Sequence, residues 1–330
     1  PPPRRGNDTI KVTLTTVNKT DKIVITGAAG LVGQNLVILL KERGYTNLTA
    51  IDKHEENAKT LQALHPDVTF VLADLAGPGE AWAACLEGAG ALIVLHAQIT
   101  GKTADPFIRN NITATELVLA MAKKYRVPAI VHVSSSVVIS RTGDNYSNTK
   151  KEQEQMVLKS AIPCTVFRPT LMFGWFDRKH LGWLARFMTK LPVFPIPNRG
   201  RYLRQPLYVR DFCAVIISAL GQPFTNQVYN IVGPENVNYV DIIRTIKKIK
   251  HLKIVFIYLP YFLFYFLLRV YALFSKNPPF TADQLRALCA GDNFPVTEWW
   301  RTFGVTVTPF YTAMEETIGD ERYRGYILKR

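Results

Sequence analysis

The chain is short of acid, short of cysteine, and without an apolar run long enough to cross a bilayer. Its 26 Asp and Glu stand against 40 Lys and Arg, a formal charge of +14. Such a deficit of acid favours anionic partners: nucleic acid, a lipid surface or a phosphorylated substrate. The four cysteines (Cys85, Cys164, Cys213, Cys289) lie far apart and form no CxxC, which argues against a zinc site or a disulfide framework and fits a reducing compartment. Residues 254–268 hold 15 residues without a charge, fewer than the roughly 20 a spanning helix needs. No internal repeat is visible. No RNA or DNA motif occurs and the aromatics form no stacking platform, so nucleic acid is not the expected partner. What remains is ample for a folded body: 330 residues, 48% apolar and 20% charged.

From residue 21 the pattern is regular. The β-branched run "KIVIT" reads as a buried strand, followed by a glycine turn and a helix in "GAAGLVGQNLVILLKERG". "LTAID", "VTFVLAD", "ALIVLHA", "AIVHVSSS" and "CTVFRPT" read as further strands, separated by helical segments ending with "YSNTKKEQEQMVLKS". This alternation predicts an α/β fold, a Rossmann-type doubly wound parallel sheet. After Thr170 the rhythm breaks. "PVFPIP" argues for a shaped loop, "VRDFCAVIISAL" for a helix and "VYNIVG" for a strand. The division expected is a flexible tail over 1–20, a dinucleotide-binding domain over 21–170 to which 206–233 return, and a smaller C-terminal substrate domain made of 171–205 and 234–330. The proline-rich start "PPPRRGND" has no apolar run behind it and does not read as a signal peptide.

Three features carry chemistry. In "TGAAGLVG", Gly27 permits a tight turn, Gly30 lets the backbone approach a pyrophosphate and Gly33 allows close helix–strand packing. Asp52 ends the next strand, where a carboxylate accepts hydrogen bonds from ribose hydroxyls and repels a 2′-phosphate, favouring NAD over NADP; Lys53 and His54 beside it could soften that preference. The alternative makes Asp52 a helix cap. Tyr146 and Lys150, in "YSNTK", share one helical face. An ammonium beside a phenol lowers the phenol's pKa and makes a general base. Serines 134–136 end the preceding strand, where a hydroxyl can hold the reacting oxygen.

With these motifs in this order, the sequence resembles the extended short-chain dehydrogenase/reductase family, in its sugar epimerase/dehydratase branch. The resemblance covers about residues 21–235. It implies Gly27, Gly30, Leu31, Val32 and Gly33 around the pyrophosphate and Asp52 on the adenosine ribose. Asp74 and Leu75 would meet the adenine edge, and Leu95, His96 and Ala97 would lie beside the cofactor. Asn111 would be the family's structural asparagine. Tyr146, Lys150 and Ser136 match the catalytic positions, with Lys150 also on the cofactor ribose. Pro169 and Thr170 would stand near the nicotinamide. In "LRQPLYVRD", Arg204 would bind a substrate diphosphate, alongside Ser136 and Tyr146 as substrate contacts. The sequence departs from the pattern between Ser136 and Tyr146, where the usual loop is short and Ser140 replaces a common tyrosine. His96 is open to a structural reading as well as a chemical one, and His180 is similarly ambiguous.

Residues 178–210 carry eight Lys or Arg and no acid. They read either as a solvated face or as an anion site for a diphosphate. Segment 254–268 is flanked by Lys247, Lys248, Lys250 and Lys253 on one side and Arg269 and Lys276 on the other. Aromatics between cations suit a membrane interface; a buried helix or a dimer surface would also account for them. This tail resembles membrane-associated epimerases of polyprenyl-diphosphate-linked sugars, and also sterol dehydrogenases of the 3β-hydroxysteroid type. The expected activity is NAD-dependent 4-epimerisation of a sugar diphosphate, nucleotide- or lipid-linked. The alternatives are net oxidoreduction of a lipid-like alcohol or keto-sugar, and an inactive nucleotide-binding subunit. A homodimer is implied, in the cytoplasm and peripheral on the inner face of a membrane, with 254–274 against anionic lipid. No metal is expected.

Overall fold

The computed structural model describes residues 16–78, 80–139, 143–274, 280–291 and 294–329. Seven parallel strands form the central sheet: β1 (Lys22–Thr26), β2 (Leu48–Asp52), β3 (Thr69–Leu72), β4 (Ala89–Val94), β5 (Ile130–Val133), β6 (Cys164–Pro169) and β7 (Gln227–Ile231), in the order β7-β6-β5-β4-β1-β2-β3. β1, β4 and β5 are buried on both faces, as continuous Ile, Val and Leu runs require when helices cover a parallel sheet from both sides. The order reverses between β1 and β4, so the connections leaving their carboxyl ends run to opposite faces of the sheet and leave the crevice where ligands bind in such sheets.

Helices α1 (Leu31–Glu42), α2 (Glu55–Leu64), α3 (Ala114–Lys124) and α4 (Asn145–Leu158) fill four of the five connections among the first six strands, and the β3–β4 connection carries only short helical turns over residues 80–86. α1 shares a core with Ile23, Ile25, Val131, Phe167 and a later helix, while Val24, Leu92, Ile130 and Val166 face the other way toward α3 and α4. Before α3 the backbone widens into a π turn over Ile108–Thr113, a local distortion common at functional sites. It carries Asn111 inward.

Beyond β6 the chain builds a second core. α5 (Leu181–Met188), α6 (Val209–Leu220), α7 (Tyr239–Ile249), α8 (Tyr261–Phe274), α9 (Ala282–Ala290) and α10 (Phe310–Gly319) follow. α6 packs on α1 beneath the sheet, whereas α5, α7 and α10 enclose Phe173, Phe194, Ile243, Ile246 and Met314. Two carboxylates fasten the C-terminal part. Asp211 of α6 accepts the Thr308 N–H at 2.9 Å and its hydroxyl at 2.7 Å, and Glu316 accepts the Tyr208 hydroxyl at 2.7 Å.

Three local expectations change. Residues 193–197, read as a loop, form a strand that pairs in parallel with Val255–Leu259. A two-stranded edge pair leaves one side of each strand unbonded, so prolines are tolerated there. The helix α5 went unread beside the prolines that follow it. The tail is shorter than 1–20, since Val17 is buried and donates its N–H to Leu220 O at 2.8 Å; residues 1–15 lie outside the described residues.

Candidate active site

The glycine turn leaves β1 at Thr26. Gly27 has φ +70°, and a Cβ there would stand 2.6 Å from the His96 nitrogen, so both the turn and the neighbouring strand end demand glycine. Gly33 is equally constrained, with Ala28 O 2.3 Å from the position of its Cβ. At Gly30 a Cβ would meet only Gly27 O, at 3.3 Å. Its open side therefore faces the crevice. Gly30 caps α1 with no side-chain hydrogen bond and no acid in the first turn. Leu31 and Val32 follow, half-buried against the core. The turn thus offers the free N–H groups of a helix N-terminus, the feature that suits an anion such as a pyrophosphate.

Asp52 ends β2 beside the turn. Its carboxylate accepts Ala29 N–H at 2.9 Å and His54 N–H at 2.9 Å, which fixes it against the turn. The cap of α2 is His54 instead, whose side chain accepts Asn57 N–H at 3.4 Å, and the two bonds leave Asp52 acceptor sites to spare, since a carboxylate has about four. Asp74 accepts Ala76 N–H and a 2.8 Å ion pair from Arg109, with Lys53 at 3.6 Å. Burial acts to raise the Asp74 carboxyl, and Arg109, Ala76 and Lys53 outweigh it and hold the pKa below its ordinary value. Lys53 and Arg109 are therefore both engaged by Asp74, which fits NAD better than a 2′-phosphate. Leu75 is buried and Leu95 half-buried, its N–H on Thr26 O at 3.1 Å. Ala97 is half-buried after β4.

His96 is held at both ring nitrogens, with Thr26 Oγ1 at 2.9 Å and Thr115 Oγ1 at 3.0 Å. Burial, helped by the charges of Lys150 and Lys53, lowers its pKa to about 3. It is a neutral structural histidine. Asn111 accepts Gln98 N–H at 2.6 Å and donates to Thr149 Oγ1 at 3.0 Å, tying the π turn to α4. Pro169 ends β6 opposite Ile231, and Thr170 is buried with its hydroxyl accepting Gly233 N–H at 3.3 Å.

Tyr146 opens α4, whose N-cap Asp144 accepts Ser147 N–H at 2.7 Å. Its hydroxyl is hydrogen-bonded to the Ser135 side chain, which favours the phenolate, but burial dominates and raises the pKa. The hydroxyl on Tyr146 is that of Ser135; Ser136, expected at the substrate oxygen, is the next residue and begins a 3₁₀ turn. One expectation changes. The phenol is not acidified by Lys150, because the ammonium donates to Val133 O at 3.0 Å and Gln153 Oε1 at 2.5 Å. Lys150 is fully buried, and burial lowers its pKa to about 7 against the opposing pull of Glu154. Ser140 lies outside the described residues.

Arg204 belongs to a second group. It sits on the short strand Leu203–Arg204, antiparallel to Val237–Asn238, and its charge bears on His180, Tyr202 and Tyr239. Burial lowers the pKa of His180. Of the basic residues around it, Arg210 is an ion pair with Glu42 at 2.6 Å and lies over the Trp175 ring, and Arg186 donates to Asp177 O at 3.0 Å. No group of three His, Cys, Asp or Glu able to hold a metal occurs among the described residues.

Sequence reasoning missed Gln153 and Thr115. Gln153 is on the Tyr146–Lys150 face at helical spacing, so periodicity could have found it. Thr115 had no signal, since only the packing of α3 on α4 brings it there.

Comparison with known proteins agrees with this geometry. A family model, NAD dependent epimerase/dehydratase, matches residues 23–232. The chain is 29% identical over 228 residues to the 4-hydroxy-2-methyl-3-oxo-4-farnesyl-3,4-dihydroquinoline-1-oxide ketoreductase of Stigmatella aurantiaca, covering 62% of this chain and 66% of that protein, just under two thirds of its length. It is 25% identical over 250 residues to a dTDP-glucose 4,6-dehydratase of an Actinoplanes species, covering 64% and 76%. The fold matches UDP-glucuronic acid 4-epimerase from Bacillus cereus, solved with NAD, at a TM-score of 0.63 and 23% identity, over 72% of this chain and 87% of that one.

Proposed function

The chain belongs to the NAD-dependent epimerase/dehydratase family, and from that premise we propose that it is a 4-epimerase of a sugar diphosphate. The observation that carries this reading is the Tyr146 phenol, hydrogen-bonded to Ser135 at the carboxyl end of β5, on the same rim as the glycine cradle. Gly27, Gly30, Gly33, Asp52 and Lys150 would hold NAD, which when bound would supply a reversible hydride acceptor. Tyr146, as the phenolate, takes the proton of the reacting hydroxyl and gives it back to the same oxygen when the ketone is reduced; the Ser135 hydroxyl donates to that phenolate, against the burial that disfavours it. Ser136, one position on, is a candidate contact for the substrate oxygen. Arg204, on the C-terminal side of the crevice, anchors the diphosphate while the sugar turns. Replacing Tyr146 by Phe removes the proton acceptor, worth about 10²- to 10⁴-fold in rate. The test is turnover of candidate sugar diphosphates by parent and Tyr146→Phe, with NAD binding measured in parallel. Full activity in the variant overturns the assignment.

A second reading, net reduction or oxidation of a lipid-like alcohol, is favoured by the farnesyl-bearing substrate in the name of the Stigmatella relative. Sustained consumption of NADH distinguishes it, because an epimerase leaves the cofactor unchanged over many turnovers.

We also propose that the chain meets a bilayer surface. α8 has no buried residue, and Phe262, Phe266, Leu273 and Phe274 are 62–85% exposed along one stripe. Residues 242–282 contain seven Lys or Arg and no acid. Exposed aromatics among cations favour an anionic lipid surface over a buried or dimer role. No described helix is long and apolar enough to cross a membrane, so contact is at the interface. Flotation with anionic and with neutral vesicles tests this: Phe262→Ser with Phe266→Ser should abolish binding to the anionic set, and equal binding to both sets refutes the charge argument. A homodimer through α3 and α4 is proposed with it, to be read by light scattering.

A further inference from the structure

Behind Lys150 lies a row of polar groups whose hydrogen bonds all run one way. Lys150 Nζ, which can only donate, meets Gln153 Oε1 at 2.5 Å. Gln153 Nε2 donates to Thr115 Oγ1 at 2.8 Å and to His96 O at 3.3 Å. A flipped amide would set its NH₂ against the ammonium and its oxygen against a carbonyl, so the chemistry settles the orientation. The Thr26 hydroxyl reaches Ile93 O at 3.4 Å, which leaves His96 Nδ1 to donate to Thr26 and His96 Nε2 to accept from Thr115. Every member thus turns its acceptor side toward the ammonium. Gln153 and Thr115 are fully buried, and such a chain polarises its own bonds.

We propose that Gln153 is the positioning residue for Lys150: it holds the ammonium against the Val133 carbonyl and, through the Thr115–His96–Thr26 chain behind it, sets the pH at which Lys150 gives up its proton. The proposal rests on the reading of Lys150 as the cofactor-side lysine only for its consequence, which is the protonation state presented to Tyr146 and the cofactor ribose. The titratable groups that face Lys150 are His132 on β5, His96 after β4 and Glu154 on its own helix, paired to Arg168. His132 is fully buried with neither ring nitrogen hydrogen-bonded, and burial keeps its pKa well below the ordinary histidine value. Both histidines are therefore neutral across the useful range, and the groups that favour the ammonium are Glu154, the Val133 carbonyl and the Gln153 chain.

The test uses the free protein and no turnover. Urea unfolding free energy is measured between about pH 5.5 and pH 9.5 for the parent, Gln153→Leu, Gln153→Glu and Thr115→Val, each against the same protein carrying Lys150→Met. The difference isolates Lys150. Because burial lowers the folded pKa, the Lys150 contribution is present above the unfolded value of 10.5 and is lost as pH falls through about 7. Gln153→Leu should move the low-pH end of that loss downward by about one unit, tenfold in proton affinity, and Gln153→Glu should move it upward by about as much. Thr115→Val should move it in the same direction as leucine, by less. A merely structural glutamine would lower stability equally at every pH. Midpoints that coincide within about 0.3 unit, or a leucine shift of opposite sign, overturn the proposal. If Gln153→Leu does not fold, the glutamate and Thr115→Val carry the comparison. Failure here leaves the epimerase reading standing, since that is judged by turnover.

Discussion

Replacing Arg168 by Met should unfold this protein more readily than removing the acid it pairs with. Arg168 on β6 grips Glu154 of α4 with two parallel bonds, Nε to Oε2 at 2.9 Å and a second N–H to Oε1. The Glu154 side chain is 2% exposed and that of Arg168 is 21% exposed. Without the guanidinium, a carboxylate is stranded away from water, at a cost of about 3–5 kcal/mol. Without the carboxylate, in Glu154→Leu, the arginine can swing its free N–H groups into solvent, and the loss falls to about 1–3 kcal/mol. The double variant should resemble the milder single one, because it strands nothing, so the cycle should return a coupling as large as the Arg168→Met loss itself, about 3–5 kcal/mol. Urea unfolding followed by circular dichroism reads all four proteins. Additivity within about 0.5 kcal/mol, or a larger loss for Glu154→Leu than for Arg168→Met, would refute the reasoning. The pair also seats the helix bearing Tyr146 and Lys150 on the sheet, so NAD affinity should fall with stability in Arg168→Met.

Two further outcomes follow from the geometry. Burial raises the Asp211 carboxyl to about 6 even though Thr308 donates to it twice; a raised pKa contributes stability below the unfolded value of 3.8 that is lost as pH rises through about 6, so the parent should weaken across that window while Asp211→Asn, read by urea unfolding, should not. Gly27→Ala forces a side chain into φ +70° and against the His96 backbone, which should cost about 1–3 kcal/mol and most of the NAD affinity measured by calorimetry; wild-type binding would show that the turn is not the cradle.

The strand–helix alternation, the glycine turn, Asp52 and the YxxxK pair could all be read along the chain, because each depends on residues within one or two turns of each other and on spacings fixed by backbone geometry. Runs such as "KIVIT" and "ALIVLHA" have no stable place except inside a parallel sheet, so the architecture followed from local pattern. The prolines of 192–197 misled for the same reason: their effect depends on whether a partner strand needs their missing N–H groups, and Val255–Leu259 does not.

What sequence could not decide is where charged and polar tips come to rest. It put Lys150 beside Tyr146 on a helix, and that is true of their backbones. Packing of α4 on β5 and α3 then drew the ammonium to the Val133 carbonyl and Gln153, gave the phenol to Ser135, and left burial to set both pKa values. Desolvation and hydrogen bonding are properties of the assembled interior. They depend on groups from strands and helices far apart in the chain, and only folding brings Thr26, His96, Thr115 and Gln153 into one line.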